Sequence, residues 1–315
     1  MLPTRELGRS GIKIPAVMLG GNVFGWTLDE AASFRVLDAA LERGLNTIDT
    51  ADMYSNWLPG HVGGESETII GNWIKARGNR DRLIIATKLG HNMGPGKEGL
   101  SATYIPQAVE ASLARLQTDY IDLYQAHRDK PKTPLEETLG AFDRLIKAGK
   151  VRAIGASNHT AARFAEALAV SKANGLARYE TLQPLYNLVE RGEYEGALQD
   201  LCVAEGIGVI NYYALAAGFL TGKYRKLEDA SGARGGSVRG YCNPKGFGVL
   251  AALDKAVARL GGTPAQLALA WVMTRPGITA PIASATKVEQ LDDLIAAAKL
   301  QLDAEAIADL DAASA

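Results

Sequence analysis

What most constrains this chain is a regular alternation of short apolar runs with amphipathic stretches. The runs read IPAVMLGG (14–21), NTIDTA (46–51), LIIATKL (83–89), YIDLYQAH (120–127), VRAIGAS (151–157), TLQPLY (181–186), GVINYY (208–213) and ITAPIAS (278–284). Near-continuous apolar strands of this kind suit a parallel sheet covered on both faces. Between them, helical periodicity is expected over Asp29–Arg43, Ser66–Arg77, Pro106–Leu116, Leu135–Ala148, Ala161–Ala173 and Tyr194–Glu205. Val249–Leu260, Pro264–Thr274, Val288–Leu300 and Ala304–Ala312 follow, after a Gly-, Lys- and Arg-rich stretch over Gly218–Gly248 that reads as a long loop. Gly44 stops the first helix in the position that favours glycine, Ser66 is a candidate cap for the second, and Pro264 suits a first helical turn.

Eight strand–helix units with no break in composition favour a closed (β/α)8 TIM barrel, an α/β fold, over an open doubly wound sheet. The start alternates apolar and polar residues around Gly8–Gly11 and predicts a short N-terminal β-hairpin. Residues 1–315 are expected to form one barrel domain. No GxGxxG follows a strand, so nothing supports a dinucleotide-binding domain of the doubly wound type.

A net charge of −1 gives no bulk attraction to nucleic acid or to an acidic membrane. No apolar run approaches the roughly 20 residues of a membrane helix, and the first residues lack a signal-like apolar core. Cys202 and Cys242 show no metal-ligand spacing, and two thiols in 315 residues argue for a reducing compartment and against a disulfide. A cytoplasmic protein without a metal site is the expectation.

Several strand ends carry groups able to do chemistry. NTIDTADMY places Asp49 and Tyr54 at the end of the second strand, ATK ends at Lys88, YQAH at His127 and ASN at Asn158. A parallel barrel gathers such ends at one face. A tyrosine near pKa ~10 is alone a poor acid or base, and an adjacent ammonium is expected to lower it. Asp49 can pair with Lys88, and His127 can donate to a substrate oxygen. Such a set suits proton transfer to an oxygen that becomes negative as a carbonyl accepts hydride. The plainer alternative makes Asp49–Lys88 a structural ion pair and His127 a core histidine.

At these residues the chain resembles the aldo-keto reductase family, in its long-loop bacterial-type branch related to channel β-subunits. The segments that carry the likeness are GLNTIDTADMY (44–54), GESETIIG (64–71), ATKLG (86–90), YIDLYQAHR (120–128), LIKAGKVRAIGASNH (145–159), LQPLYNL (182–188), GFLTGKY (218–224) and SATKVEQL (284–291). The resemblance implies a β/α barrel that reduces aldehydes or ketones with NADPH, with NADH the less favoured cofactor. It implies Asp49, Tyr54, Lys88 and His127 as a catalytic tetrad with Tyr54 as the acid–base. It also implies nicotinamide contacts from Ser157, Asn158 and Gln183, and stacking by Tyr212.

Where the family commonly has Ser-Pro-Leu, this chain has Tyr213, Ala214 and Leu215, so pyrophosphate contacts there would be through the backbone. Gly21, Asn22, Gly218, Lys223 and Arg239 complete the inner part of the implied cofactor set. Ser284, Thr286, Gln290 and Asp293 would surround the adenosine 2′-phosphate and adenine. Thr286 stands where relatives often carry arginine and Leu294 where they carry asparagine, leaving Lys287 as a point charge. The basic segment 223–239 would then act as a lid. Phe24, Trp26, Trp57 and Arg128 in strand-to-helix loops, with His91 and Asn92 beside them, are candidate contacts for a small carbonyl or alcohol substrate. Two alternatives stand beside this reading: a Schiff-base aldolase or isomerase using Lys88, and a non-catalytic, cofactor-sensing binding subunit. The sequence leaves the oligomeric state open.

Overall fold

The apolar runs form parallel strands because both of their faces are buried. The computed structural model describes residues 2–315. An antiparallel hairpin comes first, β1 (Thr4–Glu6) with β2 (Lys13–Pro15). The barrel strands are β3 (Met18–Gly20), β4 (Thr47–Asp49), β5 (Ile84–Leu89), β6 (Ile121–Ala126), β7 (Val151–Ser157), β8 (Tyr179–Gln183), β9 (Gly208–Val209) and β10 (Ile282–Ala283). They pair in the parallel order β10-β3-β4-β5-β6-β7-β8-β9. The ring closes through backbone bonds from Thr279 and Ala280 to the Val209 carbonyl (2.8 and 3.3 Å) and from Ile282 to Asn211 (2.9 Å). The chain thus forms the (β/α)8 barrel and the N-terminal hairpin that the sequence pattern predicts.

Helices α1 (Glu30–Glu42), α2 (Glu65–Arg77), α3 (Tyr104–Leu116), α4 (Leu135–Lys147), α5 (Ala161–Asn174) and α6 (Ala197–Glu205) cover the outside of the strands. They are followed by α7 (Gly235–Arg239), α8 (Pro244–Leu260), α9 (Pro264–Met273), α10 (Glu289–Ala297) and α11 (Ala304–Ser314). Among the described residues no helix is long and apolar enough to cross a membrane.

The expected boundaries shift where local chemistry decides them. The stretch expected as one loop, 218–248, holds α7 and the start of α8, because Asn243 accepts from the Gly246 amide and Pro244 opens the helix. GVINYY and ITAPIAS contribute only two-residue strands, the latter because Pro281 has no N–H to pair. Ser66 does not cap α2, which begins after Gly64; its hydroxyl donates to the Gly21 carbonyl at 2.7 Å and meets the Thr50 hydroxyl at 2.8 Å. Both cysteines are free, and burial pushes the Cys202 thiol up to about 12.

Inside the barrel a layer of Met18, Ala86, Leu123, Ala153, Ile210 and Ile282 packs with Leu7, Ile12 and Ile14 of the hairpin region. The hairpin is therefore the plug of one barrel end. Gly8 sits at φ +62°, and a Cβ there would lie 2.1 Å from the Glu180 carbonyl oxygen. Gly8→Ala should lower unfolding free energy by about 2 kcal/mol through left-handed strain and steric conflict. Urea denaturation checks this, and stability equal to the parent would show that the plug tolerates displacement.

Candidate active site

Strand periodicity determines which side chains share the barrel interior. Ala86 belongs to the interior layer, and Lys88, two residues on in β5, shares its face. Asp49 pairs in register with Ala86, so its carboxylate and the Lys88 ammonium meet at the same barrel level. Lys88 Nζ lies 2.7 Å from Asp49 Oδ2, 2.7 Å from the Thr50 carbonyl and 2.9 Å from Tyr54 Oη. These three acceptors use all three N–H bonds of an ammonium. Both members of the ion pair are buried. Burial lowers the Lys88 pKa, while the Asp49 charge and hydrogen bond oppose that shift.

Tyr54 follows β4 in the loop and turns back over the pair. Its hydroxyl is 3.4 Å from Asp49 Oδ2, a long contact beside the bond from Lys88. Burial first, and then the Asp49 charge, hold the phenol well above its ordinary value. The expectation that Lys88 lowers it is thus reversed in this state: Tyr54 is kept protonated, with a cation placed to receive the phenolate once the proton leaves.

His127 ends the run YIDLYQAH just past β6, and its amide donates to the Leu89 carbonyl at 2.9 Å. Burial, then the Lys88 charge, keeps the ring well below the usual histidine range and so neutral. Its Nδ1 is buried without a partner. A proton on Nδ1 would therefore be stranded, and assignment to Nε2 leaves an N–H for the cavity. His91 packs edge-on against His127 at 4.4 Å between ring centroids.

A cavity of about 330 Å³ opens over these groups, within the size range of ligand sites. It is lined by Asp49, Tyr54, His127, Ser157, Asn158, Gln183, Tyr212, Tyr213, Leu215, Gly218, Lys223, Ser284, Thr286 and Gln290, and at its outer wall by Trp57 and Arg128. Asn22 lines it too, with its side-chain Oδ1 accepting from the Ser284 hydroxyl at 2.5 Å. The inner amides are already linked: Gln183 donates to Asp49 Oδ1 (2.9 Å), and Asn158 donates to the His127 carbonyl (2.9 Å) and accepts from Tyr212 (2.9 Å). The Ser157 hydroxyl donates to the Gln183 carbonyl at 2.7 Å.

Other sequence candidates fall elsewhere. Phe24 is fully buried in the core, and Gly21 lies beneath the cavity with its carbonyl accepting from Ser66. Trp26 reaches the mouth by packing edge-on against Trp57 at 5.4 Å. Asp293 is held by Gln266 (2.6 Å) and Thr263 (3.3 Å) and does not line the cavity. Arg239 is exposed on α7 away from the lining, whereas Arg234, five residues earlier and half-buried with its guanidinium 5.4 Å over Trp26, lines it. Arg234, Ala217 and Thr221 were not singled out in the sequence. For Arg234 the available signal was its place in the basic segment between Gly232 and Gly240.

Comparisons with known proteins bear on the chain as a whole. The profile described as "Aldo/keto reductase family" matches residues 16–315. The chain is 37% identical over 309 residues to "Uncharacterized oxidoreductase YrpG" of Bacillus subtilis (strain 168), covering 95% of this chain and 92% of that protein. It is 32% identical to "Protein tas" of Escherichia coli (strain K12), over 98% of this chain and 96% of that one. It is 33% identical to a "Putative voltage-gated potassium channel subunit beta" of Schizosaccharomyces pombe, over 92% and 86% respectively.

A neutral, half-buried histidine makes folding depend on pH. Because the folded pKa of His127 is depressed, the unfolded chain binds a proton that the folded one refuses below about pH 6.5. His127 therefore removes up to about 1.4 kcal/mol of stability per pH unit as pH falls from that point. The buried carboxyl of Asp52 is pushed up and titrates in the opposite sense, so the comparison between variants carries the test. In urea melts at stepped pH, His127→Asn should flatten the acid-side slope relative to the parent. Parallel slopes would mean that His127 is protonated in the fold.

Proposed function

The chain belongs to the aldo/keto reductase family, and from that membership and the site geometry we propose that it reduces an aldehyde or ketone to the alcohol, reversibly, preferring NADPH. Membership makes it an NAD(P)H-dependent oxidoreductase of carbonyl compounds; direction, cofactor preference and residue roles are our reading. We also take residues 1–315 as one barrel domain.

The observation that carries the reading is the 2.9 Å bond from Lys88 to a Tyr54 phenol that burial keeps protonated. Tyr54 gives this proton to the substrate oxygen, and Lys88 stabilises the phenolate left behind. Asp49 holds Lys88 in place. His127, neutral, donates a hydrogen bond from its Nε2–H to the same oxygen and orients it. A nicotinamide held at this site would supply the hydride for the carbonyl carbon. Lys88 is fully buried beneath Tyr54, holds three acceptors and does not line the cavity, which argues against its attack on a substrate carbonyl as a Schiff-base amine.

The residues present fit a dinucleotide. Tyr213, Ala216, Ala217 and Gly218 all adopt positive φ, and such turns make backbone concavities that accept phosphate. The Lys223 ammonium stands 4.0 Å from where a Cβ on Gly218 would sit, so that glycine keeps a cradle open beside a cation. We assign Lys223 and Arg234 to the phosphates, Ser157, Asn158 and Gln183 to the carboxamide, and Tyr212 to stacking. Thr286 and Gln290, which line the cavity, are assigned to the adenosine end, with the exposed Lys287 next to Thr286 in the chain. Asp293 is tied to Gln266, so no lining carboxylate repels a 2′-phosphate there, and this supports NADPH over NADH.

Tyr54→Phe should lower kcat by on the order of 10³, within the range general acids supply, while NADPH still binds. Asp49→Asn should cost less than Tyr54→Phe, and the reverse order would overturn the assigned roles. Lys223→Ala and Arg234→Ala should each raise the KM for NADPH by about tenfold, the scale of one charge-assisted contact. A steady-state screen of aldehydes and ketones with both cofactors checks all of these. Tight NADPH binding without turnover of any carbonyl would instead favour a cofactor-sensing subunit.

A further inference from the structure

We propose that the substrate of this site carries, in addition to its carbonyl, an anionic group, a carboxylate or a comparable oxyanion, and that Arg128 receives it. The inference rests on the reductase reading above and names a substrate class for it. The cavity lining holds three arginine or lysine cations, Arg128, Lys223 and Arg234, but a single acid, Asp49. That acid is already neutralised by Lys88 at 2.7 Å. The cavity is therefore strongly cationic in a protein of net charge −1.

The cations divide by position. Lys223 lies beside Gly218 in the left-handed segment, and Arg234 sits in the same long excursion, over Trp26. Arg128 is on the opposite wall, one residue after His127 and just past β6. Adjacent Cα atoms are about 3.8 Å apart, so this cation originates next to the proposed oxygen-binding group. Its charge reaches the site: it contributes to holding His91 and His127 neutral and acts on Tyr212.

Nearby acids make no ion pair with this cation, including Glu193, whose charge also acts on Tyr212. Asp129 is engaged by Arg163 at 3.1 Å and faces His159 at 3.9 Å. Glu190 accepts from Tyr241 at 2.5 Å and from Asn187 at 3.3 Å. Among the described residues, no carboxylate lies within ion-pair distance of Arg128. Water screens the exposed guanidinium in the open cavity. A substrate seated between His91, His127 and Trp57 would displace that water and give the fork a planar, bidentate acceptor. The aromatic pair Trp26–Trp57 at the cavity mouth suits the apolar or planar remainder of such a molecule. A cationic mouth also speeds the arrival of an anion.

The test compares 3- and 4-formylbenzoate with their methyl esters as substrates. With NADPH saturating, the parent enzyme should show a kcat/KM about tenfold or more higher for at least one acid than for its ester. That advantage should shrink as salt rises, while the ester rate stays flat. In Arg128→Gln the acid-to-ester ratio should fall about tenfold, and Arg128→Lys should restore part of it. The KM for NADPH, which Arg234→Gln should raise, separates this anion from the cofactor phosphates. Binding of benzoate against benzyl alcohol, read by quenching of tryptophan fluorescence, keeps the two readings distinct. Arg128-dependent benzoate binding without turnover of any aldehyde would retire the reductase reading and keep this one. A parent ratio near one, or a preference retained in Arg128→Gln, would overturn it.

Discussion

A lysine and an aspartate are both buried at the end of two neighbouring strands, and much of the upper barrel is arranged to make that tolerable. Isolated charges taken from water cost several kcal/mol each, and their attraction offsets this only when the remaining donors and acceptors are filled. Lys88 fills its three donors with Asp49, Thr50 and Tyr54. Asp49 accepts from Lys88 on one oxygen and from Gln183 on the other. Removing either partner would leave a buried unpaired charge, which typically costs about 3–5 kcal/mol. The same bonds that satisfy the ion pair bring Tyr54 and Gln183 to it. Stability and chemistry thus rest on one set of contacts.

A second polar layer lies behind the first and explains the GESETIIG stretch. Glu67 of α2 is buried and accepts from Thr87 at 2.5 Å and from Arg115 at 2.7 Å. Ser66 ties the start of α2 to the Gly21 carbonyl. Gly71 lets α2 approach α3 so closely that a Cβ would lie 2.0 Å from the Arg115 carbonyl oxygen. None of these residues lines the cavity. They hold the ends of β4 and β5 in register, which fixes Asp49 and Lys88. Around the rim, the left-handed segment from Tyr213 is pinned by Asn187, which donates to the Tyr213 carbonyl at 3.1 Å. Glu190, bonded to both Asn187 and Tyr241, anchors that link.

The alternation of apolar runs and amphipathic stretches was enough to define the barrel, because burial on both strand faces leaves few other arrangements. Hydrophobic periodicity also located the helices, to within a few residues, where N-caps such as Asp29, Thr160 and Asp303 start them sharply. It failed where pairing is nearly absent, as in β9 and β10, and where a local cap started α8 inside an expected loop. The strand-end positions of Asp49, Lys88 and His127 were legible because a parallel barrel collects such ends at one face. Tyr54 was legible only through their company and the family likeness.

Other features had no signature along the chain. The phenol's raised pKa depends first on burial and then on how close Asp49 comes, and neither can be read from Asp49, Tyr54 and Lys88 as letters in the chain. Arg234 and Arg239 are indistinguishable as letters in one basic segment, and the turn into α7 puts only the first over the cavity. Asp293 reads as a ligand until its carboxylate is found on Gln266. The sequence by itself determined the barrel, its direction and the strand ends that carry reactive groups, because side-chain periodicity and burial act locally. Only the tertiary structure decided protonation states, which cations remain unpaired and which face they line, because these depend on contacts between residues far apart in the chain.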